Sequence, residues 1–309
     1  QLDGTAEGAP LVPKFKKAFE YSDCWVEDAR LVVLNARDAE ARGAQIMVGT
    51  KVTSATRDGD LWRIETEDTQ TGDQRSFRAR MIVNAGGPWV GDIIQTKVRV
   101  NSPEGVRLVL DDGSQVTLGS LCAEDEVWTY SGVRPLYDDG ASSAAAATRD
   151  FTLKVEATGG APILNIFGGK ITTYRKLAED AMDKIAPHFE GLSGHWTAGV
   201  ALPGGNFGVD EVDTLIAKLQ AEYPFLTPKW ARRLIRAYGT DSWNILGDAT
   251  TAEGLGQSFA ATLTEAEVRW LMQHEYARTA ADVLWRRSKL GLRFTPAEVA
   301  TLEQWMAAA

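Results

Sequence analysis

The sequence predicts a mixed α/β region followed by an all-helical one, and three observations carry that reading. A short apolar run, Ile163 to Phe167, passes through Gly168, Gly169 and Lys170 into a helical pattern that starts after Thr172 and Thr173. That is the order strand, glycine turn, helix, with the strand apolar enough to be buried on both faces. Upstream, Trp62, Ile64 and Thr66 alternate with Arg63, Glu65 and Glu67, the period of a half-solvated strand in an antiparallel meander. Beyond about residue 200 the apolar residues recur at helical spacing instead, and the segments between them carry helix caps.

Composition narrows the function classes. Of the 309 residues, 44% are hydrophobic and 24% charged, ordinary values for a soluble globular protein with ample material for a core. The formal net charge of -9 argues against a nucleic-acid binder and against non-specific adhesion to anionic lipid. No apolar run approaches the ~20 residues that span a bilayer. Cys24 and Cys122 lie far apart without metal spacing, which fits a reducing cytoplasm better than a disulfide scaffold. The chain opens Gln1-Leu2-Asp3-Gly4, with neither an initiator Met nor a signal peptide, and so reads as an excerpt from a longer protein.

Taken in order, residues 1 to 15 are punctuated by Gly and Pro and run over the surface. Ala18 to Val26 reads as a strand, Asp28 as an N-cap, and Ala29 to Arg42 as a helix burying Leu31, Leu34 and its alanines before Gly43 stops it. Ala44 to Val52 returns as a strand, which makes the opening a strand-helix-strand unit of a parallel sheet. Leu61 to Glu67 and Gln74 to Arg80 form the meander, turned at Thr71-Gly72-Asp73. Met81 to Trp89 is a buried strand ending on the small residues Ala85, Gly86 and Gly87. Gly140 to Thr148, rich in Ala and Ser, reads as a loop. Arg149 to Glu156 and Pro162 to Phe167 are the last strands, and the following helix runs to about Ile185.

The remainder is helical. Val209 to Glu222 spaces Val212, Leu215, Ile216 and Leu219 along one face. Thr227-Pro228 opens a helix that Gly239 closes, and Thr264 with Glu267 and Thr295 with Glu298 have the spacing of capping boxes. Trp230, Trp243, Trp270, Trp285 and Trp305 are expected to anchor the bundle core.

The central turn is the candidate for chemistry. Its glycines allow a ligand close to the backbone, and the helix N-terminus beyond Thr172 favours an anion. A P-loop is excluded twice, because that motif needs Gly at Leu164 and Ser or Thr at Ile171. An isolated Gly-Gly-Lys is equally compatible with a plain tight turn. The dinucleotide fingerprint Gly-x-Gly-x-x-Gly is missing after any buried strand: Gly254-Leu255-Gly256 follows Thr250-Thr251-Ala252-Glu253 and has Phe259 at the third position. His274-Glu275 fails as a zinc motif at Arg278, His188 and His195 have no metal spacing, and no metal site is expected. Arg286, Arg287, Lys289 and Arg293 read as a solvated helix face, with contact to lipid headgroups as the other reading. Arg134 follows Ser-Gly-Val and precedes the stiff Pro135. Its guanidinium suits two-pronged recognition of a phosphate or alkoxide-like oxygen, or else a structural ion pair.

Asn84-Ala85-Gly86-Gly87-Pro88-Trp89, Tyr130-Ser131-Gly132-Val133-Arg134-Pro135-Leu136 and Phe167-Gly168-Gly169-Lys170-Ile171-Thr172-Thr173-Tyr174-Arg175-Lys176, in that order, resemble the FAD-dependent glycerol-3-phosphate dehydrogenases, flavoproteins of the D-amino-acid-oxidase type. The resemblance extends to Tyr21 to Leu31, Leu202 to Gly205, Tyr223 to Leu226 and Asp282 to Arg287. It implies a partial FAD-binding domain of Rossmann-like, glutathione-reductase type, with remnant substrate-domain strands, over residues 1–200. A helical domain over 201–309 would follow.

It further implies that Val52 passes the adenine end of FAD, that Ala85 and Gly86 contact it with the ring of Trp89 packed nearby, and that Gly168, Gly169, Lys170, Ile171 and Thr172 line the flavin. Arg134 and Lys170 would anchor the substrate. The implied reaction moves a hydride from C2 of sn-glycerol 3-phosphate to flavin N5, with electrons passing to a quinone. A cytoplasmic location follows, peripheral on the inner face of the membrane, and a homodimer is admitted. The family spends far longer than this chain between residues 97 and 126, so most of the substrate-site sheet is expected to be missing, with the shortening near 109 to 121. The chain therefore reads as the carboxy-terminal two-thirds of such an enzyme, expected to bind FAD weakly and to be inactive alone. Two alternatives stay open: a non-catalytic remnant serving as scaffold or interaction module, and a related flavoprotein acting on another small hydroxy or amino compound.

Overall fold

The computed structural model describes residues 17, 26–90 and 150–309, with four short strands between the last two stretches. Asp28–Ala41 forms α1, close to the expected helix, but a different face is buried. Arg30 and Val33 turn inward, rather than Leu31 and Leu34, because that face meets the carboxylate of Glu275 and the ring of Tyr238. Glu27 occupies the N-cap position and no side chain caps the helix. The Asp28 carboxylate accepts only from the neighbouring Ala29 N–H. The strand expected over Ala18 to Val26 falls, up to Trp25, outside the described residues.

The expected strand-helix-strand unit is not formed. Residues 44 to 49 are irregular, and β1 (Thr50–Asp58) runs antiparallel to β2 (Leu61–Asp68), which pairs with β3 (Gln74–Ala79). Asp58 faces Leu61, so Gly59-Asp60 makes a two-residue hairpin, with Gly59 at φ +63° as such a turn requires. Thr50–Asp58 is also too polar to be buried on two faces, and most of it is exposed. A strand of that composition belongs on a half-solvated antiparallel sheet. The meander β2–β3 itself forms as the alternation predicts.

The second sheet has the order β4-β10-β9. Here β4 is Ile82–Asn84, β5 to β8 are the short strands Arg99–Asn101, Arg107–Val109, Gln115–Thr117 and Arg134–Leu136, β9 is Thr152–Glu156 and β10 is Ile163–Phe167. β10 runs parallel to β4 and antiparallel to β9. Its Ile163, Leu164, Asn165 and Phe167 are all buried, as expected for a strand covered on both faces. Trp62, Ala161 and Ile163, with Ala55, Ile64, Ala79 and Ile82, join the meander to this sheet. The indole of Trp62 donates to the Pro162 carbonyl at 2.8 Å, so its one polar atom is satisfied where the ring is buried. The helix α2 (Tyr174–Ile185) follows β10.

The carboxy-terminal region packs α3 (Val212–Glu222), α4 (Pro228–Tyr238), α5 (Asp241–Leu246), α6 (Glu265–His274), a π-helical segment Asp282–Arg287 and α7 (Pro296–Ala308) around one core. Leu219, Leu263, Leu271, Leu284 and Leu302 are fully buried in it. The five tryptophans are partly buried against this core rather than inside it. Thr227 accepts from the Trp230 N–H, and Thr295 and Glu298 form the reciprocal capping box. Thr264 and Glu267 do not form one. Glu267 is instead buried, accepting from both Arg233 nitrogens and from Tyr238, each at 2.6 Å. A buried carboxylate takes these charge-assisted partners in preference to a lone backbone N–H.

Candidate functional site

The parallel pairing of β4 and β10 is the structural fact on which the site rests. Asn84 lies opposite Asn165, so the turn after β4 (Ala85, Gly86, Gly87) and the turn after β10 (Gly168, Gly169, Lys170) leave the same end of the sheet. In parallel α/β sheets the crevice outside the carboxyl ends of the strands is where ligands bind. Two glycine turns far apart in sequence are thereby brought together.

Asn84 and Asn165, which sequence reasoning passed over, hold these turns. Both are buried. The Asn84 amide donates to Asn165 Oδ1 at 2.9 Å and to the Val90 carbonyl at 3.2 Å, and its Oδ1 accepts from the Gly86 N–H at 3.3 Å. A buried amide with every role filled fixes a turn firmly. The sequence signal was there: each Asn interrupts an otherwise apolar strand.

The glycines have distinct reasons. Gly168 adopts φ +72° and Gly169 φ +110°. A Cβ on Gly168 would meet the Asp150 carbonyl at 3.0 Å, and one on Gly169 the Leu177 methyl at 3.0 Å. Gly87 is at φ +57°, and among the described residues no atom lies within 4 Å of its Cβ position. Lys170 is extended, with Nζ 3.7 Å from Asp150 on the surface. Ile171–Thr173 is a single 3-10 turn leading into α2.

Thr173 holds the N-cap position of α2 but does not cap it. Its hydroxyl donates to the Lys170 carbonyl at 3.2 Å, tightening the turn instead. The first turn of α2 thus has neither a side-chain cap nor an acidic residue, which leaves the positive end of the helix dipole uncompensated beside the glycines. Further along, Arg175 and Thr197 both hold Glu179. The Thr197 hydroxyl, followed by the Arg175 and His195 charges, lowers the Glu179 pKa.

The other expected site residues divide. β8, which begins at Arg134, lies against the Gly87–Trp89 turn and pairs with β5. Tyr130 to Val133 and the Gly140 to Thr148 loop lie outside the described residues. Val52 is on β1, exposed, in the antiparallel sheet rather than at the ends of β4 and β10. The Trp89 ring is 66% exposed. Ile171 and Tyr174 also leave apolar surface uncovered on the second turn.

Gly256 belongs to a loop, its Cβ position filled by Glu265. His274 stacks on Trp270, and His195 contacts Asp183 at 2.9 Å. Among the described residues no group of His, Cys, Asp and Glu could hold a metal ion. The basic cluster is not a single solvated face. Arg287 is partly buried, with Nε donating to the Glu275 carbonyl, while Lys289 and Arg293 line a cavity.

Side-chain-free backbone, a helix start without a side-chain cap and adjacent apolar surface lie together at these turns, an arrangement that could receive the anionic part of a ligand.

Comparison with known proteins agrees. The family described as FAD dependent oxidoreductase matches residues 1–246, and the C-terminal domain of alpha-glycerophosphate oxidase matches residues 195–308. The chain is 37% identical to the aerobic glycerol-3-phosphate dehydrogenase of Escherichia coli (strain K12), covering 96% of the chain and 72% of that protein. It is 36% identical to the D-erythritol 1-phosphate dehydrogenase of Brucella abortus (strain 2308), covering 97% and 72%. It is also 36% identical to a glycerol-3-phosphate dehydrogenase of Pseudomonas aeruginosa, covering 96% and 70%. Each alignment runs over 362 residues, more than the 309 of the chain. The relatives therefore carry internal residues that have no counterpart here.

Proposed function

Because the chain belongs to the FAD-dependent oxidoreductase family, we propose that it derives from an enzyme that oxidises the secondary alcohol of glycerol 3-phosphate to a ketone. The observation that carries this is the parallel β4–β10 pair, which sets two glycine turns side by side at the start of an uncapped helix. Ala85, Gly86, Gly168, Gly169, Lys170, Ile171 and Thr172 would hold FAD there, with Val52 toward its adenine end. When bound, the flavin supplies the hydride acceptor. The chain's own groups position and neutralise: backbone N–H groups from Gly169 to Thr172 face developing negative charge, and Arg134 and Lys170 anchor the substrate's phosphate or oxygen. A boundary near residue 200 separates this part from the helical domain. Electron delivery to a quinone, a cytoplasmic site with surface contact to the membrane, and a homodimer complete the proposal. Among the described residues no helix is long and apolar enough to cross a membrane.

Two further readings each rest on an observation. The similarity to a D-erythritol 1-phosphate dehydrogenase favours the wider class of polyol phosphates as substrate. The missing internal segment favours a non-catalytic remnant. A thermal-shift titration of this polypeptide with FAD, followed by dye reduction with glycerol 3-phosphate and with D-erythritol 1-phosphate, separates them.

Within the 309 residues no Gly-x-Gly-x-x-Gly follows a buried strand, so weak binding is expected. Each absent charge-assisted hydrogen bond is worth about 1.5–3 kcal/mol, and three or four move a tight site beyond millimolar. A small rise in Tm at high FAD, removed by Lys170→Glu, supports the flavin site. No rise at any concentration leaves the remnant reading. A yellow protein with stoichiometric flavin and turnover would show that these turns hold the cofactor unaided.

A further inference from the structure

In a chain of net charge -9, one cavity collects six basic side chains and no acidic one. Its volume is about 560 Å³, and Lys229, Arg232, Arg233, Arg236, Lys289 and Arg293 line it. The first four sit on α4 at i, i+3, i+4 and i+7, one face of a helix whose opposite face (Ala231, Leu234, Ile235, Tyr238) is core. Lys289 and Arg293 come from the segment after the π-helical turn.

The walls are built rather than incidental. Arg233 is locked: its two terminal nitrogens bind Glu267 at 2.6 Å, and its Nε and NH2 bind the Thr262 hydroxyl and carbonyl at 3.0 and 2.9 Å. Arg233 is thus neutralised, and it clamps a two-residue hairpin turn in which both Ala261 (φ 46°) and Thr262 (φ 72°) are left-handed. Such turns normally take Asn-Gly, and a β-branched residue there is strained. Lys289 is left-handed as well, at φ 57°. Three of the four non-glycine residues with positive φ among the described residues therefore line this cavity. Strain of this kind gathers at ligand sites.

The remaining cations differ in their partners. Arg232 has its nearest carboxylate, the exposed Asp213, at 3.6 Å, and Lys289 has Glu27 at 3.9 Å. No ion pair among the described residues involves Lys229 or Arg293. Lys229 and Arg293 thus bring positive charge to the cavity that no ion pair among the described residues offsets, and a bound anion would offset it. Ala261, Leu290 and Leu292 supply apolar wall beside the cations.

We propose that this cavity in the helical domain binds an organic phosphate carrying more than one negative charge. Guanidinium and ammonium groups grip its phosphate oxygens, and its carbon portion lies on the leucines. The volume is that of a small-molecule site. The phosphate can belong to a free metabolite or to a lipid headgroup, and the site stands independently of the flavin turns.

The test uses the whole chain at about 150 mM salt, where charge attraction beyond ~8 Å is screened. Inorganic pyrophosphate is titrated by calorimetry, and vesicles of phosphatidylcholine with phosphatidic acid by co-sedimentation. Saturable pyrophosphate binding that falls by about tenfold or more in Lys229→Glu/Arg293→Glu supports a free phosphate ligand. Vesicle binding alone, lost in the same variant, supports a headgroup. Should the variant unfold, amine labelling of the parent decides: pyrophosphate or vesicles must slow labelling of Lys229 and Lys289 relative to the other lysines. No binding of either probe, binding unchanged in a folded variant, or uniform labelling overturns the proposal.

Discussion

Replacing Arg30 by Met removes the centre of a buried ionic chain that ties α1 to the helical region. Arg30 is 6% exposed and Glu275 fully buried. The guanidinium grips both carboxylate oxygens, one through NH1 and the other through NH2 at 2.9 Å, and stacks 4.8 Å over the Tyr238 ring. Removing one partner of a buried pair costs about 3–5 kcal/mol, because the other charge stays buried without compensation. Two features place this case at the low end. Glu275 keeps Arg37 at 3.8 Å and the Trp270 indole at 3.3 Å. Arg30 Nε has no hydrogen-bond partner, an unsatisfied donor that Met lacks. Arg30→Met is therefore expected to lose about 3 kcal/mol, and Arg30→Met/Glu275→Met to recover part of it, since exchanging both charges for apolar side chains is often neutral. Urea unfolding followed by tryptophan fluorescence measures both. A single variant within about 1 kcal/mol of the parent, or a double variant worse than the single by that amount, refutes the reasoning.

Three further outcomes are expected. Asn84→Leu leaves Asn165 Oδ1 and the Val90 carbonyl without their donor in a buried place, at a cost of about 1–3 kcal/mol in chemical denaturation. Burial, then the hydrogen bond to Glu40 at 2.8 Å, push the Tyr276 phenol up to about 12. An unfolded tyrosine ionises near pH 10, so this contribution is intact below about pH 10 and lost as pH rises toward about 12. Tyr276→Phe should flatten that alkaline fall in Tm. The Thr295 N–H, then its hydroxyl, hold the Glu298 carboxyl below its ordinary range. Its contribution is present above that range and lost as pH falls, so Thr295→Ala should lower Tm at neutral pH with a deficit that narrows below about pH 4.

Legibility followed the locality of the signal. Helices with caps written in adjacent residues, such as Thr227-Pro228 and Thr295 to Glu298, stand where the pattern puts them. So do strands with strict alternation, such as Leu61–Asp68. Two of the misreadings share one cause: a distant charged partner. Arg30 sits on the buried face of α1 because of Glu275, 245 residues away. Glu267 has the spacing of a cap but answers to Arg233 and Tyr238 from another helix. Apolar periodicity finds faces that bury carbon, and it misplaces a face that buries a matched charge. The strand after α1 failed differently. The apolar Ile46, Met47 and Val48 suggest a buried strand over Ala44 to Val52, whereas the strand that forms is the polar Thr50–Asp58, suited to a half-solvated antiparallel sheet.

The glycine turns were each legible as places for close backbone approach, whereas their adjacency was not, since nothing local in Ile82–Asn84 or Ile163–Phe167 names the other. That adjacency bears on the missing internal segment. β4 and β10 are hydrogen-bonded neighbours with Asn84 and Asn165 in register and joined through their side chains. Their pairing depends on what lies between them only through closure of the intervening loop, a cost that changes slowly with length. A shortening between the two strands, where the motifs lead one to expect it, would therefore leave the two turns together. Cofactor retention and substrate turnover then become separable properties of this chain. Absence of dehydrogenase activity would say nothing against the proposal that these turns bind flavin, which must be judged by flavin binding itself.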